Sequence, residues 1–313
     1  MDLGLTLTIG DKIDSLFYGF DTAIFSFFGA MQNSFLTIIA KLFTSFGDEN
    51  FVVPIVVLAF VLCFFKKTRK YGFSILFAVM IGTLVTNVVL KPMVLRVRPY
   101  NTLQLTAFWD KYKVWYEAVG SLSESDYSFP SGHTTSAFEM AIAVFICLMA
   151  DKKKKIAWIF PVCAVCVMGS RIYLMVHYPS DVIAGAIVGT LAGIGGYYLA
   201  KLVVHIFSKS KFLDKIDAEK LFKKGINPKI AVTVISVFCV IVLGISFGNL
   251  LTESNEEKCA YWGIYDCNNK AKIDDEDYPA IDGKNYCKIH WKEINERMEL
   301  ESSTTTDSNA DAS

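Results

Sequence analysis

The sequence predicts an all-α integral membrane protein of about six transmembrane helices in a bundle, led by an amphipathic interfacial segment. Two observations predict it. First, Gly72 to Leu90, Val182 to Ala200 and Ile230 to Leu251 contain no Asp, Glu, Lys or Arg, and each is long enough to cross ~30 Å of hydrocarbon as a helix. Second, the 313 residues are 53% hydrophobic with 31 basic and 31 acidic side chains, and those charges are gathered between the apolar runs. Helices that are apolar all round have little place in a soluble fold, and in lipid a helix satisfies its own backbone where an open sheet cannot. The balanced charge excludes a basic nucleic-acid binder and an acidic disordered chain, so no nucleic-acid partner is expected.

The elements follow in order. Residues 1–50 form the interfacial segment: Phe17 to Phe46 is apolar but broken by Asp21, Gln32, Asn33 and Lys41, a mixed pattern that fits one or two helices lying in the interface, with a seventh span as the alternative. Residues 1–16 carry Asp2, Asp11 and Asp14 and lack the basic start and apolar centre of a signal peptide. The core, 51–205, holds five spans. Phe51 to Phe65 is short and fully apolar, Gly72 to Leu90 follows, Gly132 to Ala150 is interrupted by His133 and Glu139, Ile156 to Val176 only by Arg171, and Val182 to Ala200 closes the set. A basic loop (206–229), a further helix (230–251) and an acidic tail (252–313) complete the chain.

Orientation comes from the loops. Lys66, Lys67, Arg69 and Lys70, then Lys152 to Lys155, then the lysine-rich stretch Lys209 to Lys229 fall on one face if the spans alternate, which the positive-inside rule makes cytoplasmic. Three other polar stretches then face outward: "KPMVLRVRPY" with Lys91 and Arg98, "FPSGH" with Ser131, Gly132 and His133, and "SRIYLMVHYPSD" from Ser170 to Asp181. Singly, each has an ordinary explanation. Lys91, Arg96 and Arg98 are placed as interfacial anchors, while Ser131, Ser180 and Asp181 are placed as helix caps beside Pro130 and Pro179. Arg171 resists this, because an ionisable group inside an apolar span is a functional candidate by default.

Taken together the residues describe phosphoryl chemistry. Lys91, Arg98 and Arg171 supply fixed positive charge, the guanidiniums in a fork that matches phosphate oxygens. The backbone amides of Gly132 and His133 open a helix and suit an anion. His177 and Asp181 are four residues apart across Pro179, so the carboxylate accepts from one imidazole nitrogen and leaves the other free to attack phosphorus. His133 remains to protonate the departing oxygen and then to activate water.

These stretches read K-x6-R-P (Lys91 to Pro99), P-S-G-H (Pro130 to His133) and S-R-x5-H-x3-D (Ser170 to Asp181) without a mismatch. In them the chain resembles the type-2 phosphatidic acid phosphatase (PAP2) family over about residues 14–205. The resemblance implies His177 as nucleophile, Asp181 as its orienting partner and His133 as general acid, with Lys91, Arg98, Ser131, Gly132 and Arg171 binding the phosphoryl group. It also implies no metal ion or other cofactor at the site, and a lipid substrate with its headgroup at the outer surface: phosphatidic acid, phosphatidylglycerol phosphate or a polyprenyl diphosphate. A multi-pass plasma-membrane protein with an extracytoplasmic site is expected, and its short loops suggest a bacterial one. The alternatives are a lipid phosphotransferase using the same histidine and a non-catalytic lipid-binding membrane protein.

The remaining features are less specific. Phe108, Trp109, Tyr112, Trp115 and Tyr116 mark an aromatic interfacial helix or a lip over the site. Gly185, Gly189 and Gly193 recur every fourth residue, a packing stripe within the bundle or, alternatively, a homodimer face. Cys63, Cys147, Cys163, Cys166 and Cys239 read as small buried side chains in spans. The tail has 15 Asp and Glu against 7 Lys and Arg, and its Ser/Thr/Asp-rich end from Ser302 reads as disordered. Its Cys259, Cys267, Cys287 and His290 offer zinc ligands or, in an outward location, a disulfide; the first two are spaced too widely for a usual zinc knuckle.

Overall fold

The computed structural model describes residues 8–210 apart from Ser125 and, in the tail, 217, 256–258, 267, 270–272, 278–281, 284–287, 290–292 and 294–295. The expected span at 230–251, Cys239, Cys259, most of the basic loop and the Ser/Thr/Asp-rich end lie outside the described residues. The helices are α1 (Ile9–Ala30), α2 (Ser34–Thr44), α3 (Glu49–Leu62), α4 (Arg69–Thr83), α5 (Lys91–Val94), α6 (Pro99–Thr102), α7 (Trp109–Ala118), α8 (Gly132–Ala150), α9 (Lys154–Ala157), α10 (Ile159–Tyr173) and α11 (Pro179–Lys209). In the tail, β1 (Glu256–Lys258) pairs antiparallel with β2 (Lys270–Lys272).

Helices α4, α8 and α11 form the centre of the bundle, and glycine makes their approach possible. A Cβ on Gly185, Gly189 or Gly193 of α11 would lie 2.7, 2.5 and 2.8 Å from the backbone oxygens of Ser131, Thr135 and Glu139, and one on Gly196 would lie 2.5 Å from the Ala78 nitrogen of α4. The glycine stripe is thus spent inside the chain, bringing α11 onto α8 and α4. Its effect is testable against Gly169, where an added Cβ meets nothing within 4 Å. Gly189→Ala is expected to cost about 1–3 kcal/mol through overpacking, despite alanine's better helix propensity. Gly169→Ala is expected to be neutral or stabilising; thermal unfolding in detergent reads the difference.

Among the described residues, four helical stretches are long and apolar enough to cross a membrane: 69–105, 132–150, 154–173 and 179–209. The expected first span is the exception. Its helix α3 has 14 residues, about 21 Å at ~1.5 Å per residue, which is short of a hydrocarbon core. The chain extends it backward through α2, with a 43° bend at the junction, so that the pair makes a fifth candidate. The N-terminal segment is two helices, as its broken pattern suggests, divided at Met31 to Asn33, where the Asn33 side chain caps α2.

The two ends of the bundle are separated as the loop charges require. Lys70 at the start of α4 pairs with Asp151 at the end of α8, and Tyr71 donates to the same carboxylate at 2.5 Å. Two of the basic clusters therefore share one end. At the other end, α4 passes into a π-helical stretch, Leu84–Leu90, immediately before Lys91. Such widened turns re-aim the residues that follow and gather at functional sites. Inside the bundle, Glu139 is fully buried and faces Gly82, whose missing side chain leaves room for the carboxyl.

Candidate active site

The site forms where α10 ends and α11 begins. After Tyr173 the chain leaves the helix, Met175 takes a left-handed conformation (φ 58°), and Tyr178 starts α11 in extended backbone. This turn presents His177 inward with 1% of its surface exposed. Asp181, at the third position of α11, accepts from the Tyr178 backbone N–H at 3.1 Å and from the Ser128 hydroxyl. Its Oδ2 lies 3.5 Å from Nδ1 of His177. On the opposite edge of the ring, Nε2 lies 2.9 Å from an Arg98 guanidinium nitrogen. Arginine only donates, so Nε2 is the acceptor and the proton belongs on Nδ1, facing Asp181. Burial, with Arg98 next, pushes His177 down to about 4, which leaves the ring neutral near pH 7.

A residue that the sequence offers only as an anchor holds this arrangement. Arg96 is almost fully buried and donates through every arm of its guanidinium: to Asp14 at 2.8 Å, to Asp21 at 2.9 Å, to Ser180 at 2.7 Å and to Asp181 at 2.5 Å. Its carbon sits 3.7 Å from the centre of the Tyr178 ring. Ser180 in turn donates to Asp21 from its hydroxyl at 2.7 Å and from its backbone N–H at 2.8 Å. Tyr178, which has no evident role in the sequence, and Ser180, which reads there as a helix cap, are therefore parts of the support. The signal in the sequence is the pair Asp14 and Asp21, two helical turns apart on one face of a helix that otherwise looks interfacial.

The predicted cations converge on the Nε2 side. Arg98 is fixed by the carbonyl oxygens of Val176 at 3.0 Å and Asp126 at 3.1 Å. Arg171 donates to the Thr44 hydroxyl at 2.6 Å, while its Nε is buried with no hydrogen-bond partner among the described residues. The Lys91 ammonium lies 3.8 Å from the position a Cβ on Gly132 would take. His133, whose backbone packs on Gly47, is close enough to Arg171, Glu124 and His177 to feel their charges. Ser131 is buried and caps α8, accepting from the backbone N–H of Thr134 at 3.4 Å and from its hydroxyl at 3.1 Å. The ordinary explanation for Ser131 thus holds, and it leaves the Gly132 and His133 amides at the open end of the helix.

Two carboxylates unforeseen in the sequence sit in this cradle. Glu124 pairs with Arg171 and, at 2.5 Å, with Arg98, and its Oε2 lies 3.8 Å from Nε2 of His177. Asp126 pairs with Lys91 and Arg98. Burial raises both carboxyls, but the cations outweigh it: Arg171 and Arg98 hold Glu124 well below the usual range, and Arg98 and Lys91 bring Asp126 to about 2. The side chains that meet the cations are anions, held beside the imidazole nitrogen that faces them.

The aromatic helix α7 contributes from behind. Tyr112 and Tyr116 are buried rather than interfacial, Tyr112 donates to the Met175 carbonyl in the turn before His177, and its ring meets Phe25 of α1 edge-on at 5.2 Å. Tyr100 stacks on Tyr116 at 5.2 Å and bonds both backbone groups of Glu124: its hydroxyl donates to the carbonyl at 3.0 Å and accepts from the N–H at 2.9 Å. Helix α7 therefore props both the histidine turn and the acidic loop.

Comparison with known proteins places this geometry in context. Residues 70–205 match the PAP2 superfamily. The undecaprenyl-diphosphatase of Sulfolobus acidocaldarius is 29% identical over 173 residues, covering 55% of this chain and 74% of that protein. Phosphatidylglycerophosphatase B of Bacillus subtilis is 32% identical over 155 residues, 47% of this chain and 67% of the relative. Among solved structures, a transmembrane PAP2-type phosphatidylglycerolphosphate phosphatase from Bacillus subtilis aligns with a TM-score of 0.49 at 25% identity, over 65% of this chain and 93% of that one.

Proposed function

This chain belongs to the PAP2 superfamily, and from that premise we propose that it is a membrane phosphatase hydrolysing lipid phosphates or polyprenyl diphosphates at the extracytoplasmic face through a phosphohistidine. The observation that carries the reading is the orientation of His177: Nδ1 faces Asp181, and Nε2 faces the cations that hold Glu124. The terminal phosphoryl group takes the place of the Glu124 carboxylate. Arg98, Arg171, Lys91 and the amides at the start of α8 bind its oxygens and stabilise the charge that spreads over them as the bond breaks.

Nε2 then attacks phosphorus. The P–N bond forms as the P–O bond to the leaving group breaks, and His133 gives its proton to the departing oxygen. The leaving group is the lipid alcohol of a monoester or the lipid monophosphate of a diphosphate. Asp181 stabilises the positive charge that the imidazole acquires. In the second step His133 takes a proton from water, the hydroxide attacks phosphorus, the P–N bond breaks, and inorganic phosphate leaves with His177 restored.

The test is phosphate release from a panel of polyprenyl diphosphate, phosphatidic acid and phosphatidylglycerol phosphate in detergent, with His177→Ala as control. Release from at least one, abolished in the variant, is expected; none from any would favour a lipid-binding protein. Two further outcomes follow from the electrostatics. With the ionisation of the substrate subtracted, the acid limb of kcat/KM contributed by His177 is expected near pH 4, because the attacking ring must be unprotonated; a limb near the ordinary ~6.5 would contradict the buried, cation-flanked setting. Glu124→Gln removes the charge that substrate must displace. It is expected to lower KM by up to about tenfold, ~1.4 kcal/mol, with kcat little changed, and the partial exposure of Glu124 sets that modest ceiling. An unchanged or raised KM would contradict the displacement.

A further inference from the structure

Outside the phosphatase core, the tail brings two thiols and an imidazole to one point. Cys267, Cys287 and His290 are 0%, 1% and 4% exposed, and their ligand atoms all lie within 4.8 Å of one another. We propose that these three residues bind a zinc ion that staples the tail.

Two of the three ligand distances fit a metal better than a disulfide. The two sulfurs are 3.9 Å apart, and Sγ of Cys287 is 3.4 Å from Nδ1 of His290. Zn–S bonds of about 2.3 Å and Zn–N bonds of about 2.05 Å at a tetrahedral angle require S···S of about 3.8 Å and S···N of about 3.6 Å. A disulfide requires sulfurs about 2.05 Å apart. Two thiolates also neutralise the charge of the ion, so the buried centre is uncharged once two thiol protons have left. Soft sulfur with imidazole selects zinc over the hard cations that prefer oxygen.

Local structure sets up the ligands. The backbone N–H of Trp291 donates to the Cys287 carbonyl at 2.9 Å, so Cys287 and His290 sit one helical turn apart on the same face. Cys267 joins them from twenty residues earlier in the chain. Nearby, Ile281 and Lys284 form a bridge, and Trp291 donates from its indole to the Pro279 carbonyl at 2.7 Å and meets Tyr278 edge-on at 5.4 Å. This set does not use the Cys259 to Cys267 spacing that argues against a knuckle in the sequence. Among the described tail residues the two cysteines form the buried cluster, with Tyr286 packed against it, and small domains commonly rely on such a staple.

Zinc content decides the matter. Full-length protein without a polyhistidine tag, purified in detergent from zinc-supplemented cells, is expected to carry about one zinc per chain by elemental mass spectrometry. Cys267→Ser with Cys287→Ser, and separately His290→Ala, are expected to reduce it at least tenfold while phosphatase activity shows that the membrane core still folds. Protein stripped with a chelator should rebind one equivalent of zinc, recovering protection of the tail from limited proteolysis and of Cys267 and Cys287 from alkylation. No zinc in the parent, undiminished zinc in the variants, or a Cys267 to Cys287 disulfide mapped without reductant would each overturn the proposal. All three leave the assignment of the phosphatase site untouched.

Discussion

Replacing His177 with alanine is expected to lower kcat by at least about a thousandfold while KM changes only severalfold. The asymmetry follows from the division of labour. Lys91, Arg98, Arg171 and the amides of α8 lie on the Nε2 side of the ring and survive its removal, so the phosphoryl group still has its binding partners. What is lost is the atom that forms the new bond, and removing the nucleophile of a covalent mechanism leaves only the contribution of binding and charge stabilisation. His177→Asn is the control for packing, because it refills part of the space without restoring a basic nitrogen. Both variants should fail in turnover and both should bind. An alanine variant with undiminished phosphate release would remove His177 from its role.

Arg96→Leu is expected to be nearly as damaging without touching substrate. The guanidinium is the shared partner of Asp14, Asp21 and Asp181, and removing one member of such a buried network leaves uncompensated charge at a cost of about 3–5 kcal/mol. A drop in thermal stability in detergent should accompany a fall in kcat, because Asp181 loses the donor that fixes the carboxylate facing His177. KM should change little. Arg96→Lys is the informative partner: it keeps the charge but one ammonium cannot reach acceptors on four residues at once, so it should recover part of the stability and little of kcat. A leucine variant as stable and as active as the parent would show that the network is dispensable.

Much of this architecture is legible in the amino-acid sequence. Two of the charge-free runs place α4 and α11 of the central helices, the lysine clusters place two loops at one end, and three gapped motifs mark the residues that converge opposite them. Long-range pairing is what the sequence hides. Arg96 reads as an anchor because nothing local says that Asp14 and Asp21, some 75 or more residues earlier, will reach it. Glu124 and Asp126 lie in a polar loop whose acids look solvated, and only the fold carries them onto Arg98, Arg171 and Lys91. Tyr112 and Tyr116 look interfacial because an aromatic, lysine-bearing stretch has that composition whether it faces lipid or covers a site. The first expected span falls on a helix too short to cross alone, and its apolar run does not reveal the 43° bend that joins it to α2.

The central claim is transfer of the phosphoryl group to His177, and trapping that intermediate tests it most directly. In a His133→Asn variant the first step still runs with a lipid-like substrate bearing a nitrophenyl phosphate, because a phenolate departs without an acid. The second step slows for want of a base. Quenching at alkaline pH and fragment mass spectrometry should then find up to one phosphoryl group per chain, bound at Nε2 of His177. Phosphorylation of any other residue, or sustained nitrophenol release with no adduct on His177, would contradict the account.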